Sequence, residues 1–135
     1  MTSDIIPEAY RDLVGQDSKA IAYLATLMPD GSPIVNPIWF GMDGADMLIV
    51  TFASSVKARN MWARPQVAVV LQDPKVVYRY LQVRGPVIEG VVDPPRAAEL
   101  INAFSWRYDG HAYEAEDTDD TIFRIRIERA NGWAG

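Results

Sequence analysis

The sequence predicts a mainly β domain, an antiparallel, Greek-key-like barrel of about six strands decorated by a few helices. Apolar runs of strand length are joined mainly by short turns of Pro, Gly, Asp and Ser. The strand–helix–strand rhythm of a parallel sheet is missing. With 135 residues and 49% hydrophobic content, the chain has the size and composition of one globular domain spanning residues 1–135. No internal repeat or linker interrupts it.

The elements follow in order. Ile6, Tyr10, Leu13 and Val14 recur at helical spacing behind Pro7, which suits a first turn, so a short N-terminal helix is expected. Residues 20–28 are apolar on both strand faces, as in a strand covered on each side. Pro29, Asp30, Gly31 and Ser32 form a turn, because Pro presets φ and Gly accepts positive φ. Strands are predicted over 33–42 and 47–52, joined by a tight turn at Asp43 and Gly44. A helix follows over 54–64, with Ser54 or Ser55 as N-cap and Ala58, Met61 and Trp62 on one face.

Residues 66–71 read as the next strand and Asp73-Pro74 as the next turn. Residues 76–92 form one long extended segment, bent where Gly85-Pro86 interrupts the ladder. Asp93-Pro94 caps a helix whose Ala97, Leu100, Ile101 and Phe104 make an apolar stripe ending near Gly110. Phe123, Ile125 and Ile127 alternate with Arg124, Arg126 and Glu128, the pattern of a half-buried antiparallel strand.

Composition removes several function classes. A net charge of −5 argues against duplex-DNA binding and against a polybasic membrane-surface protein. With no Cys there is no disulfide framework, thiolate nucleophile or iron–sulfur cluster. No apolar run approaches the ~20 residues of a membrane span, and the first ten residues carry acids where a signal peptide carries bases. The expectation is a cytoplasmic domain without membrane or nucleic-acid partners. GxGxxG and GxxxxGK[ST] are absent, so neither a dinucleotide-binding nor a P-loop reading has support.

The charge is unevenly spread. Six bases and one acid lie between Lys57 and Arg84, whereas six acids and no base lie between Asp109 and Asp120. Within the basic part, Lys57 occupies the place where a capping box would put Glu, and Arg59 follows it. Cations at the positive end of a helix dipole cost roughly 0.3–1 kcal/mol, and a bound anion reverses that sign. Helix-terminal amides, Ser54, Ser55, Lys57 and Arg59 therefore form a candidate phosphate site; the plainer reading is a solvated pair on an exposed helix.

Tyr78, Tyr80, Gln82 and Arg84 share one strand face, which either lines a cofactor groove or forms barrel exterior. Pro37, within Asn36-Pro37-Ile38-Trp39-Phe40, cannot donate to a ladder, so this segment is an edge or a bulge. Its neighbouring amides suit a flat ring with carbonyl and nitrogen acceptors. His111, the single histidine, reads as a loop residue, and the acids from Glu114 to Asp120 as a solvated loop with weak metal binding as the alternative. No catalytic residue and no metal site is predicted. Anion and ring features without a nucleophile or base fit chemistry carried by a bound redox cofactor.

Taken in order, Ile21-Ala22-Tyr23-Leu24-Ala25-Thr26, Asp30-Gly31-Ser32-Pro33, Asn36-Pro37-Ile38-Trp39-Phe40, Thr51, Ser54-Ser55-Val56-Lys57-Ala58-Arg59-Asn60, Arg64-Pro65-Gln66-Val67 and Val83-Arg84-Gly85 resemble the flavin/deazaflavin oxidoreductase family. That family has the split β-barrel fold of pyridoxamine 5′-phosphate oxidase-like proteins, and the resemblance runs over residues 18–134. It implies a homodimer with cofactor sites at the subunit interface, holding FMN or the deazaflavin coenzyme F420. The Ser-Ser-x-Lys-x-Arg-Asn form resembles the F420-using branch. On that resemblance Ser54, Ser55, Lys57, Arg59 and Asn60 grip the cofactor phosphate. The backbone of Pro37, Ile38 and Trp39, with Thr51, cradles the ring, and Trp106 or Tyr108 of the partner subunit closes the site.

The chain lacks the C-terminal Arg/His substrate motif of true pyridoxamine phosphate oxidases, which speaks against vitamin B6 oxidation, and residues 113–120 match no family role. The implied activity is F420-dependent reduction of a conjugated acceptor such as an enone, quinone or tetrapyrrole. The alternatives are an FMN-binding oxidoreductase of the same fold and a non-catalytic F420- or tetrapyrrole-binding protein.

Overall fold

A computed structural model describes residues 4–113 and 119–134. The architecture is a curled antiparallel sheet with three helices, the mainly β split barrel expected. Its strands are β1 (Ile21–Leu27), β2 (Pro33–Ile38), β3 (Gly41–Asp43), β4 (Asp46–Phe52), β5 (Gln66–Gln72), β6 (Tyr80–Val92), β7 (Asp120–Arg126) and β8 (Arg129–Trp133). A 3₁₀ helix covers Glu8–Val14, and the α-helices are α1 (Val56–Ala63) and α2 (Pro94–Asp109).

The sheet order is β2-β1-β5-β6-β7-β4-β3, with β8 paired to β6. Its two end strands, β2 and β3, are separated in the chain by Trp39 and Phe40 alone. Two intervening residues make three Cα–Cα steps and reach at most ~11 Å, so the sheet must curl until its edges nearly meet. Phe40 fills the seam, fully buried among Leu24, Met47, Ile49, Leu71, Leu81 and Phe123. Each apolar side chain of this size contributes roughly 1.5–3 kcal/mol on burial.

Period-2 patterning decides which face looks inward. On β1, Ala22, Leu24 and Thr26 are buried while Tyr23, Ala25 and Leu27 are half-exposed. β5 alternates in the same way, with Val67, Val69 and Leu71 inward. The other side of β4 and β7 is covered by α2, where Ala97 and Leu100 pack on Leu48 and Ile122. Asp93 caps α2 by accepting from the Arg96 amide, and Gly110 ends it at φ 73, a left-handed position that glycine occupies without a Cβ penalty.

Three sequence expectations are corrected. The described residues contain eight strands, not about six, because the predicted strand 33–42 divides where Phe40 turns into the core and because β8 follows β7. The short N-terminal helix expected is present, with 3₁₀ geometry. The extended segment begins at Tyr80, not at residue 76: the Asp73 carboxylate accepts the amides of Lys75 and Val76 and folds those residues into a turn, leaving Tyr78 exposed and off the strand. The β6 ladder runs unbroken through Gly85 and Pro86, and its irregularity falls between Val87 and Glu89, where β6 passes to β7. Gly85 serves a different purpose, since a Cβ there would lie 1.8 Å from the Arg126 carbonyl oxygen.

Candidate functional site

The turn from β4 into α1 builds the anion end of the site. Ser55 is the N-cap: its Oγ accepts from the Ala58 amide at 3.1 Å and shares a hydrogen bond with Thr51 Oγ1 at 3.2 Å. No acid occupies the first turn of α1. The Val56 and Lys57 amides have no intrahelical acceptor, as at any helix start. Arg59 reaches back so that its Nη1 donates to the Ser54 carbonyl at 3.2 Å. Lys57 is half-buried and has no hydrogen-bond or ion-pair partner among the described residues.

Lys57 lines a groove of about 180 Å³ together with Pro37, Ile38, Trp39, Thr51 and Phe52. The tertiary structure thus brings together the predicted ring-cradling segment, Thr51 and one of the two predicted cations. β2 is an end strand of the sheet, as Pro37 required. The groove also takes in Val50, Ile101, Tyr113 and the buried Asp120.

Three predicted residues stand elsewhere or are occupied. Asn60 is buried: its Nδ2 donates to Thr26 Oγ1 at 3.1 Å and to Met28 Sδ at 3.4 Å, while its Oδ1 accepts from Arg64 Nη2 at 3.0 Å. Its amide is thus engaged inside the fold, away from the groove that holds Lys57. Arg84 is exposed on the outer sheet face in a different groove, beside Leu27, Pro33 and Gln66. Ser54 is exposed at the right place, but its amide and hydroxyl both donate to the Asp119 carboxylate.

A second groove of about 400 Å³ shares that edge segment and is lined by Ile21, Pro37, Ile38, Trp39 and Tyr108. Tyr108, expected to come from a partner subunit, stacks on Trp39 of its own chain, whereas Trp106 is exposed on α2. The Tyr108 hydroxyl donates to the Ala20 carbonyl at 2.7 Å, and burial raises its pKa above the ordinary tyrosine value against the lowering effect of Arg107. Arg107 itself lies 4.7 Å from both the Phe40 and Tyr108 ring centres, donates to the Phe40 carbonyl, and keeps a buried Nε without a hydrogen-bond partner.

His111 is exposed, with its ring Nδ1 3.0 Å from the Ala112 carbonyl and its own carbonyl accepting from Ser105 Oγ, and no metal-holding group of His, Asp and Glu occurs among the described residues. Glu114, Glu116 and Asp117 of the acidic stretch lie outside those residues. Sequence reasoning missed Asp119, Arg107 and the own-chain role of Tyr108. No local signal marks them, because each acquires its neighbour through strand register or helix docking.

Among the described residues the site therefore sets Lys57 and the first-turn amides of α1 beside an apolar edge wall. Residues 6–134 match the family model described as pyridoxamine 5′-phosphate oxidase. The chain belongs to the pyridoxamine 5′-phosphate oxidase family. A solved structure named F420 reductase is 36% identical over 93% of this chain and 98% of its own, with a TM-score of 0.83. A conserved hypothetical protein from Mycobacterium tuberculosis is 24% identical over 99% of this chain and 89% of its own, with a TM-score of 0.74. An FMN-binding, pyridoxamine 5′-phosphate oxidase-related protein from Nostoc punctiforme shares the fold at 15% identity over 90% and 76%, with a TM-score of 0.63. No curated protein sequence matches the chain. This pyridoxamine 5′-phosphate oxidase-family chain thus has the fold of flavin and deazaflavin oxidoreductases. None of its described helices is long and apolar enough to cross a membrane.

Proposed function

We propose that the protein is a reductase that uses coenzyme F420 to reduce a conjugated small molecule such as an enone, quinone or tetrapyrrole. One observation carries the reading: the groove that holds Lys57, whose ammonium has no partner among the described residues, is walled by the Pro37–Ile38–Trp39 edge. The 36%-identical relative named F420 reductase supports the same cofactor. The residues present fit the group. Lys57, Arg59 and the first-turn amides of α1 suit its phosphate, and Pro37, Ile38 and Trp39 with Thr51 suit its flat ring. When bound, the coenzyme supplies a hydride to an electron-poor double bond. The chain's own part is to fix the anion, orient the ring against the wall and exclude water.

The reading includes a homodimer. A groove of about 180 Å³ is smaller than the roughly 300–1,000 Å³ of a pocket that encloses a ligand, so a second copy supplies the missing wall. The outer face of β1, β2, β5, β6 and β8 supports this, with Val35 61% and Trp133 55% exposed on it. Light scattering should give twice the chain mass, and Val35→Glu should shift it toward the monomer while weakening cofactor binding.

Parallel fluorescence titration with coenzyme F420 and FMN tests the function. Tighter binding of coenzyme F420 is expected, with turnover on at least one quinone or enone. Tight FMN with no affinity for coenzyme F420 would transfer the reading to an FMN oxidoreductase. Stoichiometric coenzyme binding without turnover across enones, quinones and tetrapyrroles would make the protein a carrier.

A further inference from the structure

The donors at the mouth of the anion site are already engaged by a carboxylate. The Ser54 amide donates to Asp119 Oδ2 at 3.2 Å and the Ser54 hydroxyl to the same oxygen at 2.9 Å. The contact is built into the fold. Phe52 at the end of β4 stands opposite Asp120 at the start of β7, and the Ala53 amide donates to the Asp119 backbone carbonyl at 2.9 Å. A negative charge is therefore held against Ser54, in the turn that leads into α1, the helix that carries Lys57 and Arg59.

Resting on the cofactor reading above, we propose that Asp119 is a charge gate that selects a phosphodiester, as in coenzyme F420, over a phosphomonoester, as in FMN. Lys57 and Arg59 contribute two positive charges and Asp119 removes one. A diester carries a single negative charge and balances what remains. A monoester carries about −1.5 to −2 at pH 7, because its second pKa is near 6, and leaves excess negative charge beside Asp119. Repulsion of that kind acts at a few ångströms and, at this exposed contact, weakens as salt is added. The gate also occupies the Ser54 amide and hydroxyl, two of the donors that a dianion with three terminal oxygens would otherwise use.

The test is a pair of fluorescence titrations, with coenzyme F420 and with FMN, on the wild type, Asp119→Asn and Asp119→Ala, alongside thermal melts. Asparagine keeps the shape and an acceptor oxygen for the Ser54 amide while removing the charge. Asp119→Asn should strengthen FMN binding about tenfold and coenzyme F420 binding less than threefold, so that the preference narrows. High salt should narrow the wild-type preference in the same direction. An unchanged preference in Asp119→Asn, or an equal loss for both ligands, would overturn the gate and leave Asp119 as a tie between loop and strand. Should Asp119→Ala fail to fold, Asp119→Asn alone decides. A wild type that binds neither compound would overturn the cofactor reading and the gate together. A wild type that binds coenzyme F420, with the same preference in the Asn variant, overturns the gate alone.

Discussion

Trp39 and Tyr108 lie face to face, with ring centroids 5.7 Å apart and an interplanar angle of 6°. Their stack ties the seam between β2 and β3 to the last turn of α2, and Tyr108 adds a hydrogen bond to Ala20 just before β1. Tyr108→Phe keeps the ring and loses that bond, for a cost of about 1 kcal/mol in urea denaturation. Tyr108→Ala also removes a half-buried ring and should cost about 3 kcal/mol. Spectrophotometric titration should show Tyr108 ionising above the ordinary tyrosine range. With the folded pKa raised, the stability it contributes is fully present below the unfolded pKa, near 10, and is lost as pH rises through the folded value.

The grooves separate Lys57 from Arg84. Lys57→Ala should weaken coenzyme F420 binding by roughly tenfold or more, the effect of losing one charge-assisted contact. Arg84→Ala should change the affinity less than Lys57→Ala, since its side chain lines a different groove on the outer sheet face. Titration of both variants checks the assignment, and an equal loss in each would remove it.

Asn60→Ala should act on stability. It leaves Thr26 and Arg64 without the partners that the buried amide supplies, at a cost of about 2 kcal/mol. The expected result is a lower midpoint in urea, with cofactor affinity in the folded protein changed less than by Lys57→Ala.

Arg79 joins the 3₁₀ helix to the turn before β6, with Nη2 2.6 Å from Asp12 Oδ1 and Nη1 3.0 Å from Asp73 Oδ2. Its guanidinium holds the Asp12 carboxyl below its ordinary value of 3.8. The amides of Lys75 and Val76 do the same for Asp73, with Arg79 adding to them. Lowered carboxyl pKa values contribute stability that is present above the unfolded value near 3.8 and lost as pH falls through the folded one. Arg79→Met should therefore lower Tm at pH 7, and the difference from wild type should shrink below about pH 4 and in 1 M salt.

Gly85→Ala places a methyl group 1.8 Å from the Arg126 carbonyl, a backbone atom that cannot step aside cheaply. Circular dichroism melts should show a loss of several kcal/mol or no cooperative transition at all.

Local features of the sequence carried much of the fold. The caps of α2 at Asp93 and Gly110, the N-cap at Ser55 and the turn glycines Gly31 and Gly44 appear where residue chemistry put them. Strand limits shifted where a side chain captured the backbone, as Asp73 does for Lys75 and Val76. The site was legible in part. Lys57, Thr51 and Pro37 to Trp39 share one groove, whereas Asn60 shares only their neighbourhood in sequence, because its position on α1 faces β1 and not the groove.

By itself the sequence determined the antiparallel β class, the places where its strands turn, and the cation pair at the start of α1. Those depend on periodicity, capping and turn propensity within a few residues. Only the tertiary structure decided that β1 pairs with β5 and β4 with β7, and that Tyr108 comes to rest on Trp39. It also decided that Asp119, 65 residues from Ser54 in the chain, takes that residue's donors. Such neighbours are set by how the whole sheet closes around Phe40, and sheet closure depends on all eight strands at once.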